Sequence, residues 1–179
     1  MQLLISGYNK LKPGDKVLYA DAAYYSMQAE MRHLRYFRGA DVIRLHTPDP
    51  ATYENQIALF EQGIKDNPGT KLILVTHMAN RTGVIVPLKE ITLMARSYGV
   101  DVIVDAAHSW GQYDFDFPDM NVDFVGFNLH KWIGAALGVG LMYIRKERML
   151  DIDTKSSKGP PGNIDINNRV QTGTMNMAA

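Results

Sequence analysis

The sequence predicts an α/β fold: a mainly parallel sheet with helices on both faces. Three observations carry that expectation. Short apolar runs alternate with stretches whose apolar residues recur at helical spacing. Gly- and Pro-bearing turns separate the two kinds of stretch. Two of the apolar runs end in ionisable residues, Val100–Asp105 leading to His108 and Asp123–Asn128 leading to Lys131. Strand–helix–strand alternation requires right-handed crossovers, and these produce parallel pairing.

The elements follow in order. Met1-Gln-Leu-Leu-Ile-Ser-Gly-Tyr8 reads as the end of a helix already under way. After the turn Lys12-Pro-Gly-Asp15, Lys16–Ala20 reads as a strand. Tyr24, Met27, Met31 and Leu34 fall on one helical face, so 24–38 is an amphipathic helix stopped by Gly39. Asp41–Leu45 is the next strand. Pro50 is expected to open a helix carrying Ile57, Phe60 and Ile64, closed by Asn67-Pro-Gly-Thr70. Lys71–Thr76 is a continuous apolar run, the pattern of a strand buried on both faces. Pro87 starts a helix with Ile91, Met94, Ala95 and Tyr98 inward, and Gly99 ends it. Val100–Val104 and Phe124–Phe127 are short strands. Gly138–Ile144 is a last strand, and the turn that enters it suits an antiparallel run. Beyond Arg145 the pattern fades, and Lys155-Ser-Ser-Lys-Gly-Pro-Pro-Gly162 is a polar loop.

Composition narrows the function classes. A chain of 179 residues with a formal net charge of +0 reads as one domain able to bury a core. Neutral charge gives no argument for nucleic acid or an anionic membrane as partner. With Cys 0, disulfides and thiolate metal sites are excluded within the chain, and a reducing cytoplasm is compatible with that. Met1–Ser6 lacks the basic n-region and apolar core of a signal peptide. The longest uncharged apolar run, Trp132–Tyr143, is too short to span a bilayer. The five histidines are scattered without a His-Glu-x-x-His pattern, so no metal site is expected. Gly134, Gly138 and Gly140 precede a strand instead of joining strand to helix, so they make no dinucleotide fingerprint.

What remains is the pair of strand ends. Ligands bind outside the carboxyl ends of strands in open α/β sheets. An aspartate to hold a ring nitrogen and a lysine to form an imine are what pyridoxal phosphate chemistry requires. Asp105 and Lys131 stand at those ends.

These residues carry a family resemblance. Asp105-Ala-Ala-His108 and Asn128-Leu-His-Lys-Trp132 resemble the cofactor signature of class V aminotransferase-like enzymes, pyridoxal-phosphate proteins of fold type I. Thr76-His-Met-Ala-Asn-Arg-Thr-Gly83 resembles that family's S-H-x-x-N-x-x-G turn, and Arg169–Asn176 its R-x-x-x-G-T-x-N segment. The wording Asp-Ala-Ala-His-Ser-Trp-Gly is similar to the isopenicillin N epimerase-like branch, and cysteine desulfurases belong to the same family. The resemblance implies that the chain is an internal piece. Residues 1–154 would be part of the pyridoxal-phosphate-binding large domain, and 155–179 a loop and the start of a connection to a C-terminal domain.

Roles follow residue by residue from the resemblance, each beside a plainer reading. Lys131 would carry the imine; otherwise it is a surface lysine after a strand. Asp105 would face the protonated pyridine nitrogen; otherwise it is a helix N-cap. His108 would contact the phenolic oxygen or move protons beside the imine; otherwise it is a polar loop residue. Asn128 and His130 would donate to the phosphate, which needs several donors; otherwise they cap the loop and the surface. Asn80 would contact the ring oxygen, and His77 reads as a structural turn residue. Tyr24 would lie flat over the ring, with core packing an equal competitor and Tyr25 a loose alternative. Thr174 would reach a neighbouring subunit's phosphate, which implies a homodimer.

The resemblance thus implies a cytoplasmic pyridoxal 5'-phosphate enzyme acting on an amino acid or amine. Transamination, racemisation or epimerisation, β-elimination and desulfuration share the same machinery, so a cysteine desulfurase or lyase stays open. Two other classes stay open as well. One is a truncated, non-catalytic α/β domain that holds no cofactor by itself. The other is a nucleotide-binding module with a coincidental lysine.

Overall fold

The computed structural model describes residues 1–153. Expectations that fall beyond them, the 155–179 loop and the role of Thr174, lie outside the described residues. The elements are α1 (Gln2–Gly7), β1 (Lys16–Ala20), α2 (Tyr25–Arg38), β2 (Asp41–Leu45), α3 (Tyr53–Asp66), β3 (Thr70–Thr76), α4 (Leu88–Ser97), β4 (Asp101–Asp105), α5 (Phe117–Met120), β5 (Phe124–Asn128) and β6 (Gly140–Ile144). A 3-10 turn, Lys146–Asp151, follows β6.

The strands form one six-stranded sheet in the order β2-β1-β3-β4-β5-β6. The pairs from β2 through β5 are parallel, and β6 runs antiparallel to β5. A short loop joins β5 to β6, and only an antiparallel neighbour can be reached that way. The remaining connections carry helices or longer loops, as parallel pairing demands.

Alternation along each strand sends side chains to two cores. Val17, Tyr19, Leu72, Leu74, Ile103 and Phe124 meet Leu4, Ile5, Met31 and Leu34 of α1 and α2. Leu18, Ile73, Val75, Val102, Val104 and Val125 meet Phe60, Ile64, Ile91 and Ala95 of α3 and α4. With helices on both faces, the central strands are buried along nearly their whole length, β4 showing only its first residue.

The element boundaries carry their chemistry. Gly39 ends α2 in the left-handed conformation at φ 68, and its N–H bonds back to the Arg35 carbonyl. Gly63 on α3 lets that helix sit against β2, since a Cβ there would lie 2.9 Å from both Leu45 methyls. α3 differs from expectation at its start. Thr52, not Pro50, flanks its first turn, its hydroxyl accepting from the Asn55 N–H. α4 differs in its inward face. Leu88, Ile91, Thr92 and Ala95 are buried, whereas Tyr98 is exposed and its hydroxyl bonds Glu61. Thr92 enters because its hydroxyl donates to the Lys89 and Met120 carbonyls, which satisfies it away from water.

At the amino ends of β4 and β5 an ion network ties the 3-10 turn to the sheet. Asp123, 9% exposed, accepts from Arg96, Arg145 and Arg148, and Arg148 also reaches Asp101 and Asp151. A hollow of about 380 Å³ lies among these residues. Its three guanidiniums already face carboxylates, so the network reads as a clamp.

Candidate functional site

The carboxyl ends of the parallel strands gather the singled-out residues. Tyr24 precedes α2, Asn80 follows β3, Asp105 ends β4 with His108 beyond it, and Asn128 ends β5 with His130 and Lys131 beyond it. Parallel strands must leave the sheet on the same side, which is why these separate segments converge.

The centre is a contact between two turns. The Lys131 Nζ lies 2.9 Å from His108 Nε2. Trp132 Nε1 donates to His108 Nδ1 at 3.2 Å. The Lys131 amine also stands 5.5 Å from the centre of the Tyr24 ring, and Tyr24 packs on Tyr25 with centroids 4.5 Å apart. The turn that carries Lys131 is fixed by backbone bonds, the Lys131 N–H donating to Asn128 O and the Gly134 N–H to Lys131 O.

Asp105 lies beneath, only 4% exposed. Its Oδ1 accepts from the Ala107 N–H at 3.0 Å. Its own carbonyl accepts from His77 N–H, and the Ala106 N–H donates to Gly126 O, so both neighbouring strands hold the turn in place. Beside it in register stands Thr76, whose Oγ1 is buried without a hydrogen-bond partner.

Burial sets the charge states. It pushes the Asp105 carboxyl upward; the Ala107 N–H, the Met1 amine, Lys131 and His108 oppose that shift. It pulls the Lys131 amine down, with Asp105 opposing. His108 is held below its ordinary value by burial and then by the Lys131 charge. Loss of hydration disfavours whichever form is charged, and it is the largest cause of all three directions. The result is an amine and an imidazole pushed toward neutrality above a buried carboxyl group.

Two expected residues stand apart from this cluster. His130 turns its Nδ1 toward the Val139 carbonyl at 3.3 Å. Asn80 is exposed on the turn closed by the Gly83 N–H to Ala79 O bond. Asn128 takes part through its backbone carbonyl. His77 is buried, its Nδ1 3.0 Å from Ser109 Oγ. Sequence reasoning passed over Trp132 and Ser109 as partners. The signal was their position, each one residue after a site histidine or lysine, on a turn tight enough to bring it back.

The donor set suits an electron-poor aromatic ring bearing an aldehyde. It offers a lysine amine for the aldehyde, a buried carboxyl group lacking an ion-paired side chain for a cationic ring nitrogen, and a flat side chain beside the amine. Thr76 Oγ1 adds an unpaired polar atom next to Asp105. Among the described residues no group of three or more His, Cys, Asp or Glu side chains could hold a metal. No described helix is long and apolar enough to cross a membrane. A separate hollow of about 760 Å³ opens over the ends of β1, β2 and β3, with Thr76 on its wall.

Comparisons with known proteins give the family and the fold. The family description "Aminotransferase class-V" matches residues 1–177. A probable L-cysteine desulfhydrase, chloroplastic, of Arabidopsis thaliana is 32% identical over 139 residues, 74% of this chain and 29% of that protein. A probable cysteine desulfurase of Pyrococcus abyssi is 31% identical over 76% of the chain and 33% of its own length. The isopenicillin N epimerase of Streptomyces clavuligerus is 27% identical over 84% of the chain and 37% of its own length. The chain thus spans about a third of the curated relatives it matches. Among solved structures, a Lys-to-Ala mutant of C-DES with glycine covalently linked to its pyridoxal phosphate cofactor superposes with a TM-score of 0.77 at 26% identity, over 89% of this chain and 44% of that one. An apo cysteine desulfurase from Thermococcus onnurineus gives a TM-score of 0.76 at 25% identity, over 94% and 42%.

Proposed function

The chain belongs to the class V aminotransferase family, and from that premise we propose that it forms the lysine-bearing part of a pyridoxal-phosphate-dependent enzyme acting on an amino acid or amine. The observation that carries the reading is the Lys131 amine held 2.9 Å from His108 Nε2, above buried Asp105. Bound there, the cofactor would supply an aldehyde for the amine and a ring that withdraws electrons from the substrate.

The chain's own residues define the rest. Lys131 is the nucleophile and then the group that holds or releases a proton at Nζ. Burial favours its free-base form, the form a nucleophilic amine needs. Asp105 would pair with a ring nitrogen, and a cation there would relieve the cost of a buried carboxylate. Tyr24, its ring centre 5.5 Å from the Lys131 amine, would lie flat over the cofactor ring. His108 takes or gives a proton beside Nζ, or binds a ring oxygen. Asn80, Asn128 and His130 are proposed contacts to the cofactor's oxygens. Thr174 and a homodimeric partner belong to the same reading.

A second, finer reading concerns the bond broken. Likeness to a desulfhydrase, a desulfurase and the cystine C-S lyase C-DES supports a sulfur-bearing amino acid as substrate and C–S cleavage as the reaction. The isopenicillin N epimerase supports epimerisation at Cα as the competing reaction.

The test is direct. Pyridoxal phosphate added to the purified chain should give a visible absorbance band, and borohydride should fix the label on Lys131. A label on Lys71 or Lys89 would overturn the assignment. No band with the full-length protein would overturn the cofactor.

A further inference from the structure

We propose that Trp132 is a positioning residue: its indole N–H fixes the tautomer of His108, and that tautomer makes the Lys131 Nζ an acceptor, hence a free amine. This rests on the reading of Lys131 as the reactive amine.

The argument is one of donors and acceptors. An indole nitrogen is a donor only. Trp132 Nε1 lies 3.2 Å from His108 Nδ1, so Nδ1 must offer its lone pair. A neutral imidazole carries one proton, which therefore sits on Nε2. Nε2–H points at the Lys131 Nζ across 2.9 Å. An ammonium has no lone pair to receive that proton, and two donors at this distance repel. A neutral amine accepts it. The alternative tautomer would present the Nε2 lone pair to Lys131 and stabilise the ammonium. The indole thus selects the sign of the imidazole's effect on the lysine, without touching the amine itself.

The surroundings are consistent with this role. Trp132 is 54% exposed, so burying its ring cannot be its main contribution. Its ring stands 6.5 Å from the His108 ring, tilted by 61°, a geometry set by the hydrogen bond more than by stacking. The titratable and charged groups around the pair are Asp105 at the end of β4, Tyr24 before α2, and the Met1 amine that acts on Asp105. Asp105 favours the ammonium, so the imidazole donor opposes it. Trp132 directly follows Lys131, and the turn that returns the chain toward Ala135 folds its indole back over His108.

The test uses the cofactor-free chain, so its outcome is independent of pyridoxal phosphate binding. Nitrogen-15 NMR of labelled histidines should show His108 protonated at Nε2 and bare at Nδ1. In Trp132→Phe, which keeps an aromatic ring and removes the donor, the bare Nδ1 signal should give way to a mixture of tautomers. The pH profile of Lys131 acylation, read by peptide mapping beside exposed Lys71, should shift upward in the variant by roughly half a pH unit or more, the size of one modest hydrogen bond on that scale. An Nδ1-protonated His108 in the wild type would overturn the proposal, whether or not the variant folds. So would a Lys131 profile unchanged in a folded Trp132→Phe. Failure of borohydride to mark Lys131 would instead refute the proposed function and leave the tautomer result standing.

Discussion

His77 Nδ1 sits 3.0 Å from Ser109 Oγ, with the two residues 1% and 0% exposed. This bond joins the turn after β3 to the turn after β4. The same histidine donates its backbone N–H to Asp105 O and accepts from Val86 N–H. Its ring meets Phe115 edge to face with centroids 4.7 Å apart. The site's floor is therefore stapled by a buried polar pair inside an aromatic wall.

Ser109→Ala should destabilise the chain by about 1–3 kcal/mol, the cost of leaving a buried ring nitrogen unpaired. Urea denaturation of both proteins at neutral pH measures it. Equal midpoints would show that the bond contributes nothing.

His77 also predicts a pH dependence. Burial holds its folded value down to about 4 from 6.5. The unfolded chain then binds a proton that the folded chain refuses. Stability from this group is complete above about 6.5 and falls as pH drops toward about 4, by up to roughly 3 kcal/mol. His77→Gln should flatten that slope in denaturation midpoints taken between pH 7 and pH 5.

Asp105→Asn separates stability from chemistry. The amide keeps the bond to Ala107 N–H but cannot carry the charge that burial disfavours. The cofactor-free variant should melt at or above the wild-type temperature, the gap growing at higher pH. In a full-length enzyme the same change should slow turnover by about 100-fold or more, roughly 3 kcal/mol of barrier. Wild-type turnover would remove Asp105 from the site.

Asp123 anchors three guanidiniums while 9% exposed. Asp123→Ala takes the shared carboxylate from part-exposed Arg96 and Arg145 and leaves Arg148 on Asp101 and Asp151, so it should cost about 1–3 kcal/mol. Lys65→Ala, which breaks the Glu61–Lys65 pair on the surface of α3, should leave the denaturation midpoint in place.

The 179-residue chain by itself should bind pyridoxal phosphate weakly and turn over amino acids poorly. Positioning and exclusion of water supply much of an enzyme's rate. Here Trp132, Ile133 and Leu137 beside the lysine are exposed. Exposed apolar surface of this kind favours association, so light scattering should give species larger than the monomer. Fast steady-state turnover abolished by Lys131→Ala would contradict the first expectation, and a clean monomer at micromolar concentration the second.

The sequence by itself determined the strands, their order along the chain, and the segments that carry ionisable residues. Those properties are local: a period of two or of 3.6, a glycine at a helix end, an apolar run that stops at Asp105 or Asn128. The motifs added the family, because Asp105, His108 and Lys131 stand in a fixed spacing on two strand ends. Tertiary structure alone decided who touches whom. That β6 pairs with β5, that Thr92 and not Tyr98 turns inward, and that His130 faces Val139 while His108 faces Lys131 all depend on packing between distant segments. The tautomer that Trp132 imposes is the clearest case. A hydrogen bond is set by a few tenths of an ångström and an angle, and those are fixed only when β4 and β5 lie side by side.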